Sequence, residues 1–172
     1  MYVKFIIGVI YAEPQWLVRA KSVMKGHGWE VQHQSQVFPF DQTDYYSNEM
    51  GEGLKRCFLS IKGLQSLEFS AEWKLKTLEI EKQLSNKGKR RINLDPGYLD
   101  LSRVVLLSAK EGSHKIYLRN GVWADLVLLK DKGGYRNFPW TFPDISTGCY
   151  DDYFLKIRAE FKREKSIGRI ND

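Results

Sequence analysis

The chain has 172 residues and a mass of 20.1 kDa, the size of one domain able to enclose a core. With 42% hydrophobic and 28% charged residues, five Trp, nine Tyr and nine Phe, it is neither a disordered nor a fibrous sequence, and its two cysteines, Cys57 and Cys149, give no disulfide framework or CxxC zinc site. Twenty-seven Lys plus Arg against 21 Asp plus Glu give a net charge of +6 and a pI near 9.2, which favours anionic partners, and no apolar run approaches the ~20 residues that span a bilayer.

Residues 3–11 are almost continuously apolar and β-branched, which predicts a central strand covered on both faces. Pro14 suits a first helical position, and Trp16, Leu17, Ala20, Val23 and Met24 recur at helical spacing before Gly26 and Gly28. Residues 29–40 and 54–61 alternate and predict two strands, the second with Cys57, Leu59 and Ile61 on one side and Phe58 on the other. Between them, residues 41–53 have no apolar period and read as a long loop with room for one helical turn.

Ser70 is expected to cap a helix whose stripe is Trp73, Thr77, Ile80 and Leu84, ending near Asn86-Lys87-Gly88. Residues 90–94 form a short strand candidate running into a turn at Asp95-Pro96-Gly97, and residues 101–109 a buried strand. Residues 114–118 and 122–129 flank Asn120-Gly121, a strong hairpin signal. After the turn-rich stretch 131–144, Tyr150, Tyr153, Phe154, Ile157 and Phe161 mark a final helix.

This order has the β-α-β-β-α-β rhythm of a split βαβ sandwich. The expected fold is α+β, one domain over residues 1–172: a largely antiparallel sheet with a ferredoxin-like first half, helices on one face, an added hairpin and a C-terminal helix. A doubly wound parallel sheet is disfavoured because two links carry no crossover helix.

GxxxxGK[ST], GxGxxG, HExxH and GxSxG are all absent, and the chain has three histidines. Phosphate-loop hydrolysis, ordinary dinucleotide binding and a tris-histidine zinc centre are therefore not expected. A metal here would be Mg²⁺ or Mn²⁺, held by one or two carboxylates and substrate oxygens. Two basic clusters stand out. Lys87-Gly88-Lys89-Arg90-Arg91 suits an anion, whereas Lys156, Arg158, Lys162, Arg163, Lys165 and Arg169 alternate with Asp151, Asp152, Glu160 and Glu164 as on a solvated helix face.

The candidate chemistry lies in two passages. In the first, Asp41, Asp44 and Glu49 gather three carboxylates in the loop that follows Phe38-Pro39-Phe40. They suit cation binding or acid–base work, although turn and cap formation explains Asp41 and Asp44 equally well. In the second, Arg91, Asn93 and Asp95 fall on one row of a strand, where a phosphate and a metal-bound or nucleophilic oxygen would be held together. Turn formation alone also explains Asp95.

Lys55, Arg56, Arg90 and Arg91 are candidates to receive anionic oxygens, with Asn93 and Tyr98 beside them. Glu49 and Asp95 are candidate metal ligands, and Asp95, Asp41, Asp44 and His114 candidate catalytic groups. The two passages are expected to share one cleft. Trp140 and Phe142, between Pro139 and Pro143, read as a hydrophobic lid.

These passages, with Asn93-Leu94-Asp95-Pro96-Gly97-Tyr98, Ser113-His114-Lys115-Ile116-Tyr117-Leu118 and Trp140-Thr141-Phe142-Pro143-Asp144, resemble the bacterial and archaeal family called domain of unknown function 4416. Some members of that family carry a GTP-binding label, for which this chain has no phosphate loop. The expected function is a metal-assisted enzyme or binding domain for a phosphorylated small molecule or nucleotide, in the cytoplasm and away from membranes. RNA binding, for which the chain lacks the usual aromatic strand signature, and a non-catalytic assembly role are the alternatives.

Overall fold

The computed structural model describes residues 1–41 and 46–168. Its centre is β1, Tyr2–Tyr11, every residue of which after Tyr2 is buried. A strand with no polar face must be covered twice, and β1 is. Val3, Phe5, Ile7, Val9 and Tyr11 pack into one cluster with Trp16, Leu17, Ala20 and Met24 of α1 (Pro14–Gly26) and Trp73 and Ile80 of α3 (Ser70–Gln83). Ile6 joins a second cluster with Phe154 and Ile157 of α5, Asp151–Gly168. Helices therefore cover both faces of the sheet, which corrects the expectation of one covered face. Local periodicity shows that a helix has an apolar stripe and is silent on which face of a sheet receives it.

Around β1 the described residues form a ten-stranded sheet in the order β10-β9-β7-β6-β1-β4-β2. Its members are β2 (Val31–Gln34), β4 (Lys55–Ile61), β6 (Ile92–Leu99), β7 (Arg103–Ser108), β9 (Val122–Asp131) and β10 (Gly134–Arg136). The short strands β3 (Phe38–Pro39), β5 (Gln65–Ser66) and β8 (Ile116–Arg119) pair with β4, β1 and β9. All these pairings are antiparallel, so the protein is an α+β fold on one antiparallel sheet. None of its described helices is long and apolar enough to cross a membrane. The single-turn helices α2 (Ser47–Met50) and α4 (Pro143–Ser146) lie in the connections.

Several boundaries depart from the sequence reading. Residues 29–40 divide into β2 and β3, with Ser35 between them accepting the Phe58 N–H through its hydroxyl. Ser70 is the first helical residue and makes no capping bond, the cap position being Phe69. The Asn120-Gly121 hairpin forms, with positive φ at both residues (54° and 74°), as a type I′ turn requires. Asp95-Pro96-Gly97, however, is no turn: β6 runs straight through it, and the chain reverses instead at Asp100, whose Oδ1 accepts the N–H groups of Ser102 and Arg103 at 2.7 and 3.0 Å.

Candidate functional site

β6 pairs with β1 over eight residues but with β7 only at Gly97, Tyr98 and Leu99. Gly97 permits that close junction, because a Cβ there would lie 2.1 Å from the Val105 carbonyl oxygen. Towards its N-terminal end β6 has lost its β7 partner, and α3 supplies substitutes. The Leu94 N–H donates to Glu81 Oε1 at 2.5 Å, and Lys74 Nζ donates to the Leu94 carbonyl at 3.1 Å. Alternate strand residues present their backbone to the same edge, so Pro96 faces that edge too, where it has no N–H to satisfy. A Pro-Gly pair inside a strand is thus compatible with a sheet that splits at this point.

The split opens a cavity of about 530 Å³. Asn93 and Asp95 line it from β6, Leu106, Leu107 and Ser108 from β7, Lys74 and Leu78 from α3, and Phe142 and Pro143 from the start of α4. One wall is a closed charge network. Arg90 donates through Nη2 and Nε to Glu49 Oε2 at 2.8 and 3.2 Å, and through Nη1 to Asn93 Oδ1 at 2.8 Å. Asn93 Nδ2 donates to Asp95 Oδ2 at 2.7 Å, and Lys74 pairs with Asp95 Oδ1 at 3.2 Å. Tyr46 lies under the Arg90 guanidinium, and burial, with Asp95 nearby, pushes its hydroxyl up to about 12. Burial likewise raises the Glu81 carboxyl, against the pull of Lys74. Each charge in this wall meets an opposite one or a hydrogen bond, as burial requires.

The part of the lining from β7 and β9 is less complete. Asp125, on β9, is 3% exposed and lines the cavity. Its Oδ2 lies 3.4 Å from His114 Nε2, while its Oδ1 is buried without a hydrogen-bond partner among the described residues. His114 is fixed from behind: its ring stacks on Trp140, which stacks on Phe138 and donates its indole N–H to the Leu126 carbonyl at 2.9 Å. Lys115, beside it, directs Nζ to Ser108 Oγ at 3.1 Å and to the Lys110 carbonyl at 3.2 Å.

Burial pushes the Asp125 carboxyl up, with His114 and then Lys115 pulling it part of the way back. The folded state therefore binds that proton more tightly than the unfolded chain, and stability falls as pH rises from the ordinary value of 3.8 through the raised one. Asp125→Asn is expected to raise Tm at neutral pH, with the gain shrinking as pH is lowered towards 3.8. Thermal melts across that range check this, and a lower Tm for the variant at neutral pH contradicts it.

Of the residues singled out in the sequence, Arg90, Asn93 and Asp95 line the cleft, and Glu49 joins them through its ion pair with Arg90. Asp44 lies outside the described residues. Asp41 and Lys55 are exposed and do not line the cavity. Arg91 is half-buried, but the row expected through it is occupied by Arg90, which reaches Asn93. Tyr98 sits opposite Phe5 on the α1/α3 face, away from the cavity.

Arg56 is wholly buried and bonds Asp144 at 3.1 and 3.2 Å, between the rings of Phe40, Phe58 and Phe142. It is a core group rather than an exposed anion receptor. Glu49 and Asp95, the candidate metal ligands, are engaged by Arg90 and Lys74. Among the described residues no group of three or more His, Cys, Asp or Glu forms a metal site. Phe142 packs on Arg56 and lines the cavity, whereas Trp140 is 39% exposed and stacks on His114.

Lys74, Glu81, Asp125 and Lys115 were not singled out by sequence reasoning. A signal existed for three of them. Lys74 and Glu81 are seven residues apart beside the buried stripe of α3, and Asp125 interrupts the apolar run of β9.

No curated protein and no solved structure matches the chain. A family model does match, over residues 1–161, and on that extent the chain belongs to the family described as Domain of unknown function (DUF4416).

Proposed function

We propose that the cleft between β6 and β7 binds a small anionic organic ligand, of the phosphorylated-metabolite or nucleotide class. A volume of about 530 Å³ falls in the range of small-molecule sites, roughly 300–1,000 Å³. Phe40, Leu78, Leu107, Phe142 and Pro143 offer an apolar surface to the body of such a ligand. The observation that carries the reading is Lys115. Lys74 and Arg90 already face carboxylates, whereas Lys115 lines the cavity, forms no ion pair among the described residues and is held by two neutral oxygens. A positioned cation of this kind attracts an anionic group at modest ordering cost.

Thermal-shift screening of phosphorylated metabolites and nucleotides tests the reading, since a ligand of the folded state raises Tm by an amount set by its concentration over Kd. At least one phosphorylated compound is expected to raise Tm, and Lys115→Met to abolish that shift. Reversing Lys162 and Lys165 on the exposed face of α5 is expected to leave it intact. A shift that survives Lys115→Met and disappears on the α5 reversal contradicts the reading and points to a basic helix face of the kind that tracks nucleic acid.

We further infer that β6-β1-β4-β2, with α1 and α3, is a ferredoxin-like unit. The strand order and antiparallel pairing support this. On this reading β7 to β10 and α5 are additions, and the cleft lies at the seam where they join.

A further inference from the structure

Asp125 is a carboxylate on a strand that is otherwise largely apolar, and its burial has no structural return on the Oδ1 side. A buried acceptor left unmatched carries a desolvation cost that a donor on a ligand would remove. Two features give this one a direction. Asp125 lines the cavity while His114 does not, so the carboxylate is held through Oδ2 by a residue outside the lining, and its Oδ1 has no partner among the described residues. The His114–Trp140–Phe138 stack holds the group that fixes Asp125, so the carboxylate is positioned in advance. Lys115 adjoins His114 in sequence and lies near enough to act on the Asp125 charge. A cation and a carboxylate with one unmatched oxygen thus line the same cavity.

We propose that the ligand is zwitterionic, with its anionic group at Lys115 and Ser108 and an amino group donating to the Asp125 carboxylate. This rests on the reading of the cleft as an anion site and adds the second end of the ligand. An ammonium would match the Asp125 charge as well as its lone pair, which a hydroxyl cannot. His114 then acts as a positioning residue, holding Oδ2 so that the carboxylate is oriented for the ligand.

The test compares two probes that differ by one amino group, phosphoethanolamine and ethyl phosphate, titrated into the full chain and followed by amide chemical shifts. Wild type is expected to bind phosphoethanolamine about tenfold or more tightly than ethyl phosphate, the scale of one charge-assisted hydrogen bond. Asp125→Asn is expected to lose that preference and to bind ethyl phosphate more tightly, because a nearby negative charge has gone. Superposable amide spectra away from the cleft show that the variant is folded.

Equal affinity of the two probes for wild type, with both lost in Lys115→Met, overturns the amino-group proposal and leaves the anion site standing. A preference that persists in Asp125→Asn also overturns it. Failure of wild type to bind either phosphate overturns the anion site and this proposal together.

Discussion

Arg56→Ala is expected to destabilise the fold by about 3–5 kcal/mol, the cost of removing one partner from a buried ion pair. The Arg56 guanidinium is wholly buried, and Asp144 is 5% exposed. With Arg56 gone, the Asp144 carboxylate would stay behind in a site walled by Phe40, Phe58 and Phe142. Gly8 is part of the same arrangement: a Cβ there would lie 3.1 Å from the Phe58 ring and 3.4 Å from Arg56 Nη2.

Two Arg56 nitrogens, Nε and Nη2, have no hydrogen-bond partner among the described residues, so the pair as a whole is not an efficient use of buried space. The paired change Arg56→Met with Asp144→Ala is therefore expected to recover most of the loss, because no uncompensated charge remains. Urea melts of the three variants check both statements. A single Arg56→Ala variant within about 1 kcal/mol of wild type, as for an exposed ion pair, would show that the guanidinium is not buried as described. Since Arg56 packs on Phe142, which lines the cavity, loss of the pair should also loosen that part of the cavity lining.

Gly97→Ala is expected to cost more than about 3 kcal/mol, beyond the usual range for an overpacked core side chain, because the obstacle is backbone. The added methyl would meet the Val105 carbonyl oxygen at 2.1 Å and the Leu106 Cα at 3.0 Å, and neither can move without breaking the β6–β7 ladder. That ladder has three residue pairs, against eight between β6 and β1. Strain should therefore be relieved by β7 and β9 leaving the sheet. Hydrogen exchange should rise in β7 and β9 first and least in β1 and β4. Uniform exchange across the sheet, or a variant as stable as wild type, contradicts this description of the junction.

The same junction shows what the sequence could and could not convey. β1, α1 and α5 are legible because their signals are local: an unbroken apolar run, a proline at the first helical position, and a stripe at helical spacing. The Asn120-Gly121 hairpin is legible because positive φ at two successive residues has few other solutions. Asp95-Pro96-Gly97 carries an equally strong local turn signal and yet lies inside β6, for reasons set by distant residues. Pro96 faces an edge that β7 has left, and Gly97 makes room for Val105.

Burial of Arg56 was hidden for a similar reason. Its only marker is alternation along β4, which reads the same whether the far face meets water or meets Asp144 and three aromatic rings. The acidic and basic residues of the Glu49–Arg90–Asn93–Asp95 chain were legible as a mixed-charge pair of passages. Their partners Lys74 and Glu81 sit on a helix whose pattern is otherwise ordinary, so only the paired spacing of two charges next to an apolar stripe marked them.

The most direct measurement of the central claim is amide chemical-shift mapping of the protein with a nucleoside monophosphate. If the split between β6 and β7 is the binding site, the largest changes fall on Asn93, Asp95, Ser108, Lys110, Lys115 and Asp125, which line it. Changes confined to Lys87 and Lys89 or to the exposed positions Lys156, Lys162 and Lys165 on α5, with the cleft residues unmoved, would contradict it.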